Sequence, residues 1–128
     1  MKLLLDTHLL LRAAGEPKRL SNGTRGLLAA AENQLLFSVA SIWEIVIKRA
    51  VGRDDFRVDP ARLRRKLREN GYTELPILGA HVIAVESLPP IHRDPIDRIL
   101  IAQAAREALT LLTSDAAVAR YPGEIKLV

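Results

Sequence analysis

The chain has 128 residues, 48% hydrophobic and 27% charged, enough for a single globular domain over residues 1–128 with its own core and too few for a second. It contains no cysteine, which excludes disulfide-stapled scaffolds and thiolate metal sites. The net charge of +4 is modest, but fourteen of the nineteen basic residues are arginine, whose guanidinium forks onto phosphate oxygens; nucleic-acid binding is permitted without being required.

The amino-terminal stretch MKLLLDTHLLLRAAGE has the length of a short signal peptide. Asp6, His8 and Arg12 interrupt its apolar run, and nowhere does the chain approach the roughly 18 consecutive apolar residues of a membrane span. A soluble, cytoplasmic protein without a membrane partner is expected. Lys2 to Leu5 reads as a strand and Thr7 to Ala14 as a helix ended by Gly15-Glu16-Pro17. Ser21-Asn22-Gly23 marks a new start, Leu27 to Glu32 is helical in character, and Gln34 to Phe37 is a second strand. Ser38 or Ser41 opens an amphipathic helix that runs to near Gly52. Arg53 to Asp59 is polar, and Asp59-Pro60 starts a basic helix from Ala61 to Asn70, with Leu63 and Leu67 on one face and Gly71 as its stop.

Tyr72 to Ile77 reads as extended and Gly79 to Ser87 as helical, before the Leu88-Pro89-Pro90 break. Asp94-Pro95 starts a strongly patterned helix to Glu107. Thr110 to Thr113 is a buried strand, Ala116 to Arg120 a short helix, and Ile125 to Val128 a last strand. Strands alternating with helices imply an α/β fold with a parallel sheet flanked by helices.

Acids recur where strands give way to helices: Asp6, then Asp94 and Asp97, then Asp115. Ligands of open α/β sheets bind outside the carboxyl ends of the strands, so such acids would gather at one mouth. Each has a simpler explanation as a helix cap, because aspartate accepts hydrogen bonds from the free donors of a first turn. Asp94-Pro95-Ile96-Asp97 fits a cap well, and Ser41-Ile42-Trp43-Glu44 spells a capping box. A cap needs only a short polar side chain, however, and serine, threonine or asparagine would serve. Carboxylates at four junctions or first turns point, as a set, to a site for a hard divalent cation.

The segments LLLDTHLLLRA, FSVASIWEIVIKRAVG, LPPIHRDPIDRILIAQA and LLTSD, which span nearly the whole chain, resemble the PIN-domain ribonucleases, and among them the VapC-type toxins of type II toxin-antitoxin pairs. The resemblance implies a three-layer α/β/α fold with a central, mostly parallel sheet. It also implies a Mg²⁺- or Mn²⁺-dependent endoribonuclease that hydrolyses RNA phosphodiester bonds. Carried over by position, the catalytic acids would be Asp6, Glu44, Asp97 and Asp115, with Asp6, Asp97 and Asp115 as metal ligands and Glu44 orienting or deprotonating the attacking water. Asp94 would be auxiliary, and the hydroxyl that family members place beside the acids would fall on Thr7, Thr113 or Ser114. Arg12 stands where close relatives often carry tryptophan. The implied partners are the RNA substrate, a second copy of the chain, and a VapB-like antitoxin whose basic segment lies across the acidic groove.

Other residues carry weaker expectations. Arg93 and Arg98 flank the acids and would meet RNA phosphate or pair with Asp94 or Glu44. His8 and His92 are expected at the surface or behind the acids, His81 in a structural role, Trp43 packed, and the basic helix around 62 to 68 as a solvated face. The apolar residues Leu9 to Leu11, Ile42, Ile45, Val46 and Ile47 exceed what one buried face needs, so a partner should cover some of them. The competing functions are a catalytically silent PIN-fold partner-binding domain and a different metal-dependent phosphohydrolase. An aspartate-nucleophile phosphatase would want a second aspartate where His8 stands.

Overall fold

A computed structural model describes the whole chain, Met1–Val128. Five strands, β1 (Lys2–Leu5), β2 (Gln34–Ser38), β3 (Thr73–Leu75), β4 (Thr110–Thr113) and β5 (Ile125–Leu127), form one sheet in the order β3-β2-β1-β4-β5, and every neighbouring pair is parallel. Seven α-helices pack around it: α1 (Thr7–Gly15), α2 (Asn22–Ala29), α3 (Val39–Ala50), α4 (Pro60–Glu69), α5 (Gly79–Ala84), α6 (Pro95–Arg106) and α7 (Ala116–Ala119).

A parallel sheet must be covered on both faces, and the alternation of side chains along each strand divides its apolar run between two cores. Leu3 and Leu5 face one core with Leu9, Leu10, Ile45, Leu63 and Leu67 from α1, α3 and α4. Leu4 faces the other, with Ile99, Leu100 and Ile101 of α6 and Val118 of α7. Leu36 and Phe37 of β2, and Leu111 and Leu112 of β4, split in the same way. The result is the expected three-layer α/β/α sandwich. Each fully buried leucine of β1 contributes about 1.5–3 kcal/mol.

Strand order sets the site. The chain builds outward from β1 through β2 to β3, then crosses back to place β4 on the other side of β1. The topological switch point therefore lies between the carboxyl ends of β1 and β4, directly before Asp6 and Asp115.

Capping is real for the helix-start acids: Asp6, Asp59, Asp94 and Asp115 each accept from backbone N–H groups of the following first turn. One helix is displaced from the expected Leu27–Glu32 range, and at another the structure chooses between two candidate caps. α2 begins at Asn22 and ends at Ala29, leaving Glu32 in the following turn, because Ser21 Oγ accepts from Thr24 N at 3.1 Å and nucleates the helix earlier. α3 is capped by Ser38, whose Oγ accepts from Ala40 N (2.9 Å) and donates to Gln103 Oε1 (2.6 Å). Ser41 thus lies inside the helix, and the Ser41–Glu44 capping box does not form.

The polar stretch from Arg53 to Asp59 holds a 3₁₀ turn, Asp54–Phe56, which sends a fully buried Phe56 into the core with α1, α3 and α4. Of the surplus apolar residues, Leu9, Leu10 and Ile45 are buried, while Val46 and Ile47 are exposed. Trp43 is 55% exposed, contrary to the expectation that it packs; one turn before Val46 and Ile47, it shares their outward side of α3. His81 is buried and accepts from Leu78 N through Nδ1 (3.0 Å), the structural role expected of it. No helix is long and apolar enough to cross a membrane.

Candidate active site

Asp6 is 6% exposed and its two oxygens are used differently. Oδ1 caps α1 by accepting from Leu9 N (2.9 Å). Oδ2 reaches across the switch point, accepting from Thr113 Oγ1 (2.7 Å) and Ser114 N (3.2 Å). Thr113 Oγ1 also accepts from Asp115 N at 3.0 Å, so one buried hydroxyl ties the end of β1 to the turn after β4. A hydrogen-bonded carboxylate is fixed in orientation, which an asparagine could not reproduce, since its amide would set a donor against the Ser114 N–H. On the other side, Thr7 Oγ1 donates to Ser41 Oγ (3.0 Å), locking the start of α1 to α3.

Asp97 anchors a second group. His92 Nε2 lies 2.9 Å from Asp97 Oδ2 and 3.8 Å from Asp115 Oδ2. Asp94 Oδ1 accepts from Ile96 N and Asp97 N, which brings its carboxylate beside Asp97. Burial, reinforced by the charges of Asp94 and Glu44, pushes the Asp97 carboxyl from 3.8 up to about 6, against the lowering effect of the His92 hydrogen bond. Glu44 is 4% exposed; its Oε2 pairs with Lys48 Nζ at 2.5 Å, and its Oε1 is buried with no hydrogen-bond partner.

The four acids singled out in the sequence do not converge to a single ligand shell. The trio whose ligand atoms lie within 4.8 Å of one another is His92, Asp94 and Asp97. Asp6, Glu44 and Asp115 stand around it, each held by its own partners: Thr113 and Ser114, Lys48, and Ala117 N (2.8 Å). These local bonds set where each one rests.

Three further side chains shape the surroundings of the acids. His92, expected at the surface or behind the acids, is partly buried and bridges Asp97 towards Asp115. Lys48 was legible only as the last residue of a Glu-x-x-x-Lys spacing on one helix. Arg98 meets neither Asp94 nor Glu44. Its terminal nitrogens donate to the carbonyls of Pro89 (2.9 Å), Val85 (3.2 Å), Leu88 and His92 and to Tyr121 Oη (3.0 Å). Tyr121 Oη in turn accepts from His92 N at 2.7 Å, so Arg98 and Tyr121 pin the 85–92 segment and aim the His92 ring. Arg93 is exposed beside them.

An all-parallel α/β/α sandwich with carboxylates standing around its switch point defines an α/β domain with an acidic end. Within that class the assignment is sharper: the PIN domain family profile matches residues 3–124, and the chain belongs to that family. Several solved structures share the fold. VapBC2 of Rickettsia felis, bound to a DNA fragment from its promoter, is 15% identical with a TM-score of 0.71, over 99% of this chain and 98% of that one. A toxin-antitoxin complex of Klebsiella pneumoniae is 16% identical with a TM-score of 0.63, over 97% and 95%. VapBC-1 of nontypeable Haemophilus influenzae is 17% identical with a TM-score of 0.59, over 94% and 91%. Among proteins of curated function, none matches the sequence.

Proposed function

We propose that the chain is a VapC-like toxin acting as a divalent-metal-dependent endoribonuclease, held in check in the cytoplasm by a VapB-like antitoxin. One observation carries the catalytic part: burial and neighbouring carboxylates push Asp97 up to about 6, and a buried Glu44 oxygen beside it has no hydrogen-bond partner. The donor set is nearly all carboxylate oxygen, which suits Mg²⁺ or Mn²⁺. Asp6, Asp97 and Asp115 would hold the ion. Once bound, it supplies Lewis-acid stabilisation of phosphoryl charge and acidifies water.

The rest falls to the protein's own groups. Thr113 and Ser114 fix Asp6 and, through Thr113, the turn that carries Asp115; Thr7 and Ser41 brace α1 against α3. His92 orients Asp97, and Asp94, whose first role is the cap of α6, adds negative charge beside it. Glu44 takes the proton of the attacking water. Exposed Arg93 meets RNA phosphate, whereas Arg98 serves by holding the 85–92 segment. The exposed apolar residues of α3 suit a protein partner, a second copy or the antitoxin.

The toxin assignment draws on the likeness to the VapBC complexes above, and the test combines both parts. Purified chain should cut RNA with Mg²⁺ or Mn²⁺, stop in EDTA, and lose at least about 100-fold in rate in Asp6→Asn and Asp97→Asn. Equal residual cleavage in both variants would identify a contaminating nuclease. Expression should arrest growth, with relief on co-expression of the neighbouring antitoxin frame; unaffected growth from a folded, expressed chain would remove the toxin reading.

A further inference from the structure

Glu44 presents two carboxylate oxygens in different circumstances. Oε2 is 2.5 Å from Lys48 Nζ, one turn further along α3, and Oε1 is buried and unpartnered. Lys48 is not a loose surface lysine. Its side chain is 24% exposed, and its ammonium lies 4.7 Å from the centroid of the fully buried Phe56 ring. His8, two residues after Asp6, meets that ring in a T-shaped arrangement, with centroids 5.6 Å apart. The 3₁₀ turn at Asp54–Phe56 thus supplies the aromatic face that steadies Lys48, and Lys48 in turn steadies Glu44.

The geometry points to Lys48 as a positioning residue for Glu44, whose ammonium pins Oε2 so that Oε1 alone is offered to the acidic cluster as a proton acceptor. This role rests on the nuclease reading. A solvent-exposed Glu–Lys pair one turn apart contributes only a few tenths of a kcal/mol and would orient nothing. Here both partners are largely shielded and the cation sits against an aromatic face, so the pair holds one geometry. Pinning also divides the labour within one carboxylate. With Oε2 occupied by an ammonium, Glu44 is kept from chelating a cation through both oxygens, and a lone pair remains for water.

The test uses the full chain, a defined RNA oligonucleotide and Mn²⁺, comparing wild type with Lys48→Met, Lys48→Arg and Phe56→Leu. Lys48→Met keeps the apolar stem but removes the charge. Its kcat should fall about 100-fold with KM within about 2-fold, the signature of a misplaced catalytic group. Lys48→Arg should recover most of that loss by restoring the charge, while Phe56→Leu should show a smaller fall of about 5-fold in kcat alone. Calorimetric titration with Mn²⁺ in the absence of RNA should show Lys48→Met binding about 10-fold more tightly, because a repelling ammonium has left the mouth. Unchanged kcat overturns the proposal. So does a raised KM with unchanged kcat, which would make Lys48 a contact for RNA phosphate. If Lys48→Met does not fold, unaltered kcat in Phe56→Leu overturns it instead. A wild-type chain that binds Mn²⁺ but cuts no RNA counts against the nuclease reading, and the titration then decides for Lys48: unchanged Mn²⁺ affinity in Lys48→Met removes its engagement with Glu44.

Discussion

Replacing Asp97 with asparagine should stabilise the metal-free protein at neutral pH. The Asp97 carboxyl is raised from 3.8 to about 6 by burial and by the charges of Asp94 and Glu44. In the folded state it therefore binds its proton more tightly than in the unfolded chain. Between these two values the folded protein holds a proton that the unfolded chain has released, so wild-type stability declines as pH rises through that window and levels off above it. Two pKa units correspond to about 3 kcal/mol, an upper figure for a side chain that keeps 21% of its surface in water. The asparagine side chain carries no charge, and its amide oxygen still accepts from His92. Urea denaturation in EDTA should place Asp97→Asn about 2–3 kcal/mol above wild type near pH 7.5, and level with it near pH 4. Adding Mn²⁺ should then stabilise the wild type and leave the variant nearly unmoved. A variant no more stable than wild type near pH 7.5, or a gap that ignores pH, would refute the view that burial and the neighbouring carboxylates disfavour the Asp97 charge.

Three further substitutions separate structure from chemistry. Asp115→Asn keeps a capping side chain on α7, so stability measured in urea should change by less than about 0.5 kcal/mol, while RNA cleavage falls about 100-fold or more. Arg98→Met removes its hydrogen bonds to four backbone carbonyls and to Tyr121; a loss of about 3 kcal/mol and faster amide exchange within residues 85–92 are expected. Ala108 has φ of 56° in the turn between α6 and β4, where Leu109 N closes onto Ala104 O (2.9 Å). Ala108→Gly relieves a left-handed backbone and should raise stability by about 1 kcal/mol, read as a higher Tm with cleavage unchanged.

The elements were legible because their signals are local. Apolar runs bounded by Gly, Pro and capping residues located β4 at Thr110–Thr113 to the residue, and α3, α4 and α6 to within a residue or two of their first or last positions. Where the reading slipped, two local signals competed. Ser38 and Ser41 both spell a cap, and only the tertiary bond from Ser38 Oγ to Gln103, on a helix 65 residues away in sequence, shows which one serves. Phe56 was invisible for a related reason. A single aromatic among charges has no periodicity, and its burial depends on α1, α3 and α4 enclosing it.

The acids divide along the same line. Sequence alone determined which carboxylates stand at the strand-to-helix junctions, because strand ends and helix caps are short-range features, and the match to PIN segments added Glu44 to them. Only the tertiary structure decided how Asp6 is engaged through Oδ2 and how Asp97 is shielded and held, because the groups that do so are brought there by packing or lie far along the chain. Thr113 reaches Asp6 across 107 residues, and Tyr121 holds the backbone of His92 across 29. Packing likewise turned Arg98 inward and set Lys48 between Glu44 and Phe56. Residue type and spacing specify a capacity for charge, whereas desolvation and neighbouring charge, which exist only once the chain is folded, set the state in which that charge is held.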